Sequence, residues 1–337
     1  MFHQQTLETL LIYLGIAIIS YLSCICYIKF FLSFSRKIRT PTGAGVVGPL
    51  LLLFGSLYFS LSTHLILANI CVIAFTALYW IDDIFGLTPK FRIKLILSFG
   101  MALFSIFGFY NFLNNLNSIY LLISVVIFIP TLLVMVNVVN FYDGANLNVA
   151  LLISQFCLIG LLFFEPGSSI FVFSICWIAF TSAFALKNYK KDTLFFGDSG
   201  CFAFAGTVCV IFFLSVSENN INFIYFIFPI ALPVLDVFVV ITLRILLSEN
   251  LLTRNYLHLY QRLQSHHPLP FFYLFPQIVS FLGLLNISLI LDYLKLSSTI
   301  SITTSVIIFV PIVYFFFYLK YGNLIPIYRA IINRRKL

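Results

Sequence analysis

Apolar residues fill long stretches of this chain almost without interruption, and polar residues are confined to short connections between them. Stretches of about 20 apolar residues are long enough to cross a bilayer as helices, whereas a spanning barrel needs shorter strands that alternate in polarity. A helix also satisfies each backbone N–H and C=O within its own segment, as lipid demands. The pattern predicts an all-α, polytopic membrane helix bundle with about eleven transmembrane helices. They fall near residues 8–34, 45–61, 64–81, 93–110, 118–136, 147–164, 169–187, 200–216, 221–247, 271–291 and 300–319. The connections leave no room for a soluble domain, so residues 1–337 read as a single integral-membrane domain.

Composition sharpens this picture. Hydrophobic residues make up 61% of the chain and charged residues 9%, where a soluble domain carries about 25% charged residues. Lys and Arg accumulate on cytoplasmic connections. With the amino terminus outside and the carboxyl terminus cytoplasmic, every Lys and Arg except Lys29 and Lys295 falls on an inner connection or the inner tail. The net charge of +8 is then a property of one face. Such a face suits anionic lipid and phosphate-bearing substrates, and nucleic acid is not expected. The opening segment carries Glu8 and no basic residue before its apolar run, so it reads as a retained span rather than a cleaved signal peptide. The seven cysteines lie within or beside spans and read as small core residues, without disulfide or metal spacing.

Against this background four acids stand out. Asp82, Asp83, Asp143 and Asp198 occupy the ends of apolar segments, all on the inner side. Carboxylates at a membrane boundary suit a divalent metal serving a phosphate, and by themselves also fit a transporter. Neighbouring side chains diverge by about 100° on a regular helix, so Gly86 and Pro89 are expected to end the helix and let Asp82 and Asp83 converge beside Lys90, Arg92 and Lys94. Simple pairing with those bases is the plainer reading. Asn137, Asn140, Asp143 and Asn146 recur every three residues and share one side of a helical turn, with capping of the following helix as the plainer role. Asp198 opens a predicted span between glycines, where helix-end amides favour anions or a metal–phosphate complex. The longest inner connection holds Arg254, His258, Arg262, His266 and His267. His258 and Arg262 share a helix face suited to phosphate, and the spacing offers no zinc site.

Together TPTGAG at 40–45, DDIFGLTPKFR at 82–92, NVVNFYDG at 137–144, FFGDSG at 195–200, PVLDVFVVITLR at 233–244 and HLYQRL at 258–263 closely resemble the bacterial polyprenyl-phosphate N-acetylhexosamine-1-phosphate transferases of glycosyltransferase family 4. The resemblance implies transfer of a sugar 1-phosphate from a UDP-sugar to undecaprenyl phosphate or another polyprenyl phosphate, with release of UMP. It implies Mg²⁺, with Mn²⁺ as a substitute, on Asp198 and Asp83. Asp82, Asp83, Asp143 and His258 take catalytic roles in this reading, and Asn140, Lys90, Arg92, Arg254 and Arg262 contact substrate. Asp236 lies in a family-like stretch, with pairing to Arg244 as its plainer role.

Two departures matter. Many members carry a second Asp-Gly where this chain reads Asn146–Leu147. HLYQRL keeps only the first histidine of the cluster found in phospho-N-acetylmuramoyl-pentapeptide transferase and looks more like the O-antigen-initiating branch. That shifts the expected donor toward UDP-GlcNAc or a deoxy relative, with the peptidoglycan reaction as the alternative and a secondary transporter as the rival from another class. Acids clustered at one interface, without an internal repeat, argue against the transporter. The resemblance also implies a bacterial cytoplasmic membrane, an active site on its cytoplasmic face, and homodimerisation as an open alternative.

Overall fold

The computed structural model describes residues 2–34, 40–86, 88–113, 118–189, 193–217, 221–249, 257–296 and 298–321. Among them every regular element is a helix. Seven of these helical segments are long and apolar enough to cross a membrane, as expected of a multi-pass helix bundle. The chain divides into two compact units, Met1–Phe223 and Ile224–Leu337.

The first unit contains α1 (Phe2–Phe34), α2 (Val47–Tyr58), α3 (Thr63–Phe85), α4 (Pro89–Leu113), α5 (Ser118–Tyr142), α6 (Asn148–Phe163), α7 (Ser169–Asn188) and α8 (Gly197–Ser217). Each coincides with a predicted span, but two helices run beyond the predicted ends in a way that matters. α3 continues through Asp82 and Asp83, and α5 continues through Asn137 and Asn140. Both carry polar side chains beyond the apolar stretch on a rigid helical frame.

α8 is the centre of this unit. Residues 201–211 are buried without a break, which is the signature of a helix apolar on all sides and enclosed by others. α2, α3 and α5 pack on α8, while α1, α2 and α6 pack on α7. Phe202 of α8 stacks on Tyr79 of α3 at 4.4 Å between ring centroids and meets Phe99 of α4 edge-on at 4.9 Å. These aromatic contacts fix the helices that bring the polar ends together. A short 3₁₀ turn, Ala44–Val46, lies against the first turn of α8. A Cβ on Gly45 would stand 2.1 Å from the Gly200 Cα, so the backbones meet where neither residue has a side chain. Cys24, Cys157, Cys176, Cys201 and Cys209 are buried free thiols, as expected of core residues, while Cys26 is exposed and Cys71 half-buried.

The second unit contains α9 (Ile227–Leu246), the short α10 (Leu259–His266), α11 (Pro270–Tyr293) and α12 (Thr299–Tyr321). α9, α11 and α12 pack on one another, and α10 rests on α11 and α12.

Candidate active site

The first amides of a helix have no partners within it. At the start of α8 two carboxylates from distant elements supply them. Asp143, just after α5, accepts the Phe196 N–H at 3.1 Å and the Gly197 N–H at 2.8 Å. Asp83, on α3, accepts the Asp198 N–H at 2.9 Å, the Ser199 N–H at 3.0 Å and the Ser199 hydroxyl at 2.5 Å. Negative charge at this end of a helix is stabilised by its dipole. The expected anion site at the α8 amides is therefore filled by the protein's own acids. Asp143 does act as a cap, but for α8 rather than for the helix that follows it.

The loop beneath this junction must be thin. Gly197 and Gly43 have φ of +80° and +91°. A Cβ on Gly197 would lie 2.3 Å from the Gly43 nitrogen, and one on Gly43 would lie 2.7 Å from the Tyr27 hydroxyl and 2.9 Å from Asp83 Oδ2. Residues 41–45 are laced to 195–196 by backbone bonds: the Phe195 N–H donates to the Pro41 carbonyl at 2.9 Å, and the Gly45 N–H to the Phe196 carbonyl at 3.2 Å. Tyr27 donates to the Thr42 carbonyl and accepts the Trp80 Nε1–H at 2.9 Å.

Beside the junction a cation bridges two acids. Arg92 Nε lies 2.6 Å from Asp82 Oδ2, and its Nη1 lies 3.0 Å from Asp198 Oδ2. Asn140 donates its Nδ2–H to Asp198 Oδ1, and the Tyr79 hydroxyl donates to the Arg92 carbonyl at 3.1 Å. The Asp82 side chain is enclosed, whereas those of Arg92 and Asp198 are 38% and 25% exposed. Asp82 and Asp83 thus do not converge. The helix runs on to Phe85 and Gly86 follows it, so the two carboxylates keep their helical divergence, one toward Arg92 and the other toward α8. Burial pushes the Asp143 carboxyl up to about 7, and the charges of Asp83 and Asp198 push the same way, against the two N–H groups that it accepts.

The other expected residues sort differently. Asn137 bonds back to the Leu133 carbonyl of its own helix, and Asn146 reaches the Tyr189 carbonyl at 3.4 Å. Of the three-residue series, only Asn140 and Asp143 join the acids. Lys90 is exposed in the first turn of α4. Arg254 lies outside the described residues. In the second unit, His258 is buried and its Nδ1 lies 2.9 Å from Asp236 Oδ2. Arg262 donates Nε–H to the Leu257 carbonyl at 3.0 Å and lies over the Tyr318 ring. Arg244 pairs with Glu249 at 3.4 Å rather than with Asp236. Ser199, Tyr27 and Tyr314 carried no spacing signal, while the loop that holds Gly43 was visible only as a motif without a role.

An apolar cavity of about 1200 Å³ is lined by residues of α1 and α2, from Leu11 and Tyr58 at one end to Tyr27, Phe30, Val46 and Val47 at the other. Tyr27 is shared between this cavity and the Gly43 corner.

The acid cluster offers oxygen donors, the set that Mg²⁺ prefers. Among the described residues no three His, Cys, Asp or Glu side chains are grouped to hold an ion. Mg²⁺ commonly binds through one or two carboxylates and completes its shell with water and substrate phosphate. The donor set therefore fits a cation shared with a phosphate ligand, not one caged by protein alone.

Residues 64–217 match the profile of glycosyl transferase family 4. This stretch runs from α3 to α8 and contains Asp82, Asp83, Arg92, Asn140, Asp143 and Asp198. No curated protein matches the chain. The match supports the family resemblance drawn from the motifs over the stretch that it covers.

Proposed function

We propose that this protein transfers a sugar 1-phosphate from a UDP-N-acetylhexosamine, UDP-GlcNAc or a deoxy relative, to undecaprenyl phosphate or a similar polyprenyl phosphate. The products are a polyprenyl-diphosphate sugar and UMP, and the reaction starts a cell-surface glycan such as O-antigen. The observation that carries this reading is the α8 junction. Asp83 and Asp143 hold the start of the helix, which leaves Asp198 on its first turn between Asn140 and Arg92.

The chemistry asks little covalent help from the protein. An oxygen of the lipid phosphate attacks the β-phosphorus of the UDP-sugar, the bond to the bridging oxygen breaks, and UMP leaves with that electron pair. One diphosphate linkage replaces another. The second pKa of a phosphate monoester is about 6, so the attacking lipid is largely a dianion at neutral pH and needs no obligatory base. What remains is alignment and neutralisation of charge. Arg92 is placed for that work, since it is half-exposed and its fork matches phosphate oxygens. Asp82 anchors its Nε. Mg²⁺, held by Asp198 with Asp83, would supply further neutralisation of the diphosphate. Lys90, Arg254 and Arg262 are further cations for the substrates, and His258 would contact the donor diphosphate.

The α1–α2 cavity supports a lipid co-substrate, because an apolar tail lying there would bring its polar end to Tyr27 and the Gly43 corner. In this reading residues 1–337 act as one transferase domain in a bacterial cytoplasmic membrane, with the reaction on the cytoplasmic face. Incubating purified protein with Mg²⁺, undecaprenyl phosphate and a panel of UDP-sugars tests the donor. UMP release from UDP-GlcNAc or a deoxy relative is expected. Turnover of UDP-MurNAc-pentapeptide with no UDP-N-acetylhexosamine accepted overturns the donor assignment.

A further inference from the structure

Glycine in the middle of a helix is less stable than alanine and keeps its place where a neighbour needs the room. Two glycines of α2 fit that rule. A Cβ on Gly48 would stand 2.6 Å from the Trp177 ring, and one on Gly55 would stand 2.5 Å from Cys176 Sγ. Gly15 of α1 does not fit it. Gly15 is exposed on the wall of the α1–α2 cavity, and a Cβ there would meet nothing within 4 Å outside its own helical turn. The space that it leaves open belongs to the cavity. We propose that this cavity takes the hydrocarbon chain of the lipid phosphate and that Gly15 keeps room for it, as the position that selects long polyprenyl chains. The proposal rests on the reading of a polyprenyl phosphate as co-substrate.

Length points to the occupant. At the helical rise, the cavity wall runs about 28 Å along α1 from Leu11 to Phe30 and about 20 Å from Val46 to Phe59 along α2. α1 is apolar enough to cross a membrane from Leu11 to Ser33. The hydrocarbon core is about 30 Å thick, so the tail of a one-leaflet lipid reaches about 15 Å. A chain that starts at Tyr27 must run about 18 Å along α1 to pass Gly15, which a polyprenyl chain does with length to spare. Tyr27 also joins the cavity to the acid junction, because the Cβ position of Gly43 lies 2.7 Å from the Tyr27 hydroxyl and 2.9 Å from Asp83 Oδ2. Bilayer tails are as apolar as this wall, so the chain wins no hydrophobic free energy by entering. It gains dispersion contacts and a fixed course that leads its phosphate toward Asp83.

The substitution Gly15→Phe fills the cavity without pressing on the core, and Gly15→Ala is its control. Full-length protein purified in detergent is titrated, without UDP-sugar, with undecaprenyl phosphate, with the two-isoprene geranyl phosphate and with phosphatidylglycerol, and bound lipid is read by native mass spectrometry. Wild type and Gly15→Ala should retain undecaprenyl phosphate in preference to the other two. Gly15→Phe should bind undecaprenyl phosphate about tenfold more weakly, as a displaced chain segment loses its contacts, and geranyl phosphate as wild type does. In the UMP-release assay its KM for undecaprenyl phosphate should rise about tenfold, with kcat and the KM for UDP-GlcNAc unchanged. Three results overturn the proposal: wild-type binding of undecaprenyl phosphate by Gly15→Phe, displacement of that lipid mole for mole by phosphatidylglycerol, or a dimer mass in wild type that Gly15→Phe loses, which would make a second copy the occupant. If Gly15→Phe does not fold, the wild-type titrations decide, and equal retention of geranyl and undecaprenyl phosphate overturns it. Chain-selective binding without turnover of any UDP-sugar would sink the transferase reading and leave the chain site standing.

Discussion

Asp83, in the last turn of α3, accepts the backbone N–H of Asp198 at 2.9 Å, although the two lie 115 residues apart. One acid therefore holds the helix on which the other is displayed. Asp198 in turn presents its own carboxylate to Asn140 and Arg92. The two differ in what they do, and substitution should separate them.

Asp198→Asn keeps the size of the side chain and removes its charge. The α8 cap is made by other carboxylates, so the variant should insert and melt close to wild type. Its turnover should fall by about 10²-fold or more, the scale for losing one preorganised electrostatic group. Thermal unfolding in detergent beside a UMP-release assay checks both halves, and normal turnover rejects Asp198 as the essential acid.

Asp83→Ala should damage the fold as well. It leaves two buried amides at the α8 start and the Ser199 hydroxyl without their acceptor. Loss of such a cap costs about 1–3 kcal/mol, visible as a lower Tm. A melting curve that matches wild type would show that Asp83 does not hold α8.

Arg92→Met removes the cation that pairs with the buried Asp82 carboxylate. Breaking a fully buried pair costs about 3–5 kcal/mol, but Arg92 is 38% exposed and solvent screens part of the interaction, so about 1–3 kcal/mol is expected here. Adding Asp82→Asn should recover part of the loss. The cycle is read from thermal or denaturant unfolding of all four proteins, and strict additivity would remove the coupling between the pair.

Leu147 occupies a left-handed conformation, φ +63°. That conformation costs a non-glycine residue about 1–2 kcal/mol, and glycine gives back about 0.5–1 kcal/mol in unfolded-state entropy. Leu147→Gly should therefore stabilise the protein by about 0.5–1 kcal/mol. A lower Tm would mean that the half-buried Leu147 side chain outweighs the backbone strain.

Helix positions were legible in the sequence because each apolar run is long enough to span lipid and cannot leave its backbone unpaired there. The motifs also singled out residues that meet in space, since Asp83, Asn140 and Asp143 contact the start of α8, where Asp198 sits, and Asp82 joins Asp198 through Arg92. Their division of labour was hidden. Whether Asp143 caps α6 or α8 depends on tertiary packing across 54 residues, and local spacing is blind to that. The divergence of Asp82 and Asp83 turned on where α3 ends, and the apolar pattern stops before the helix does. For Asp236 the plainer role was pairing with Arg244, eight residues along the same helix; the His258 contact joins two elements 22 residues apart.

The central claim is that the sugar travels with its phosphate. The most direct measurement uses UDP-GlcNAc labelled with ³²P at the β-phosphate, together with undecaprenyl phosphate, Mg²⁺ and the purified full-length protein. The account expects the label in the solvent-extractable lipid and UMP formed in equal amount. Formation of UDP, with the label left in the aqueous nucleotide and only the sugar carried to lipid, would contradict it.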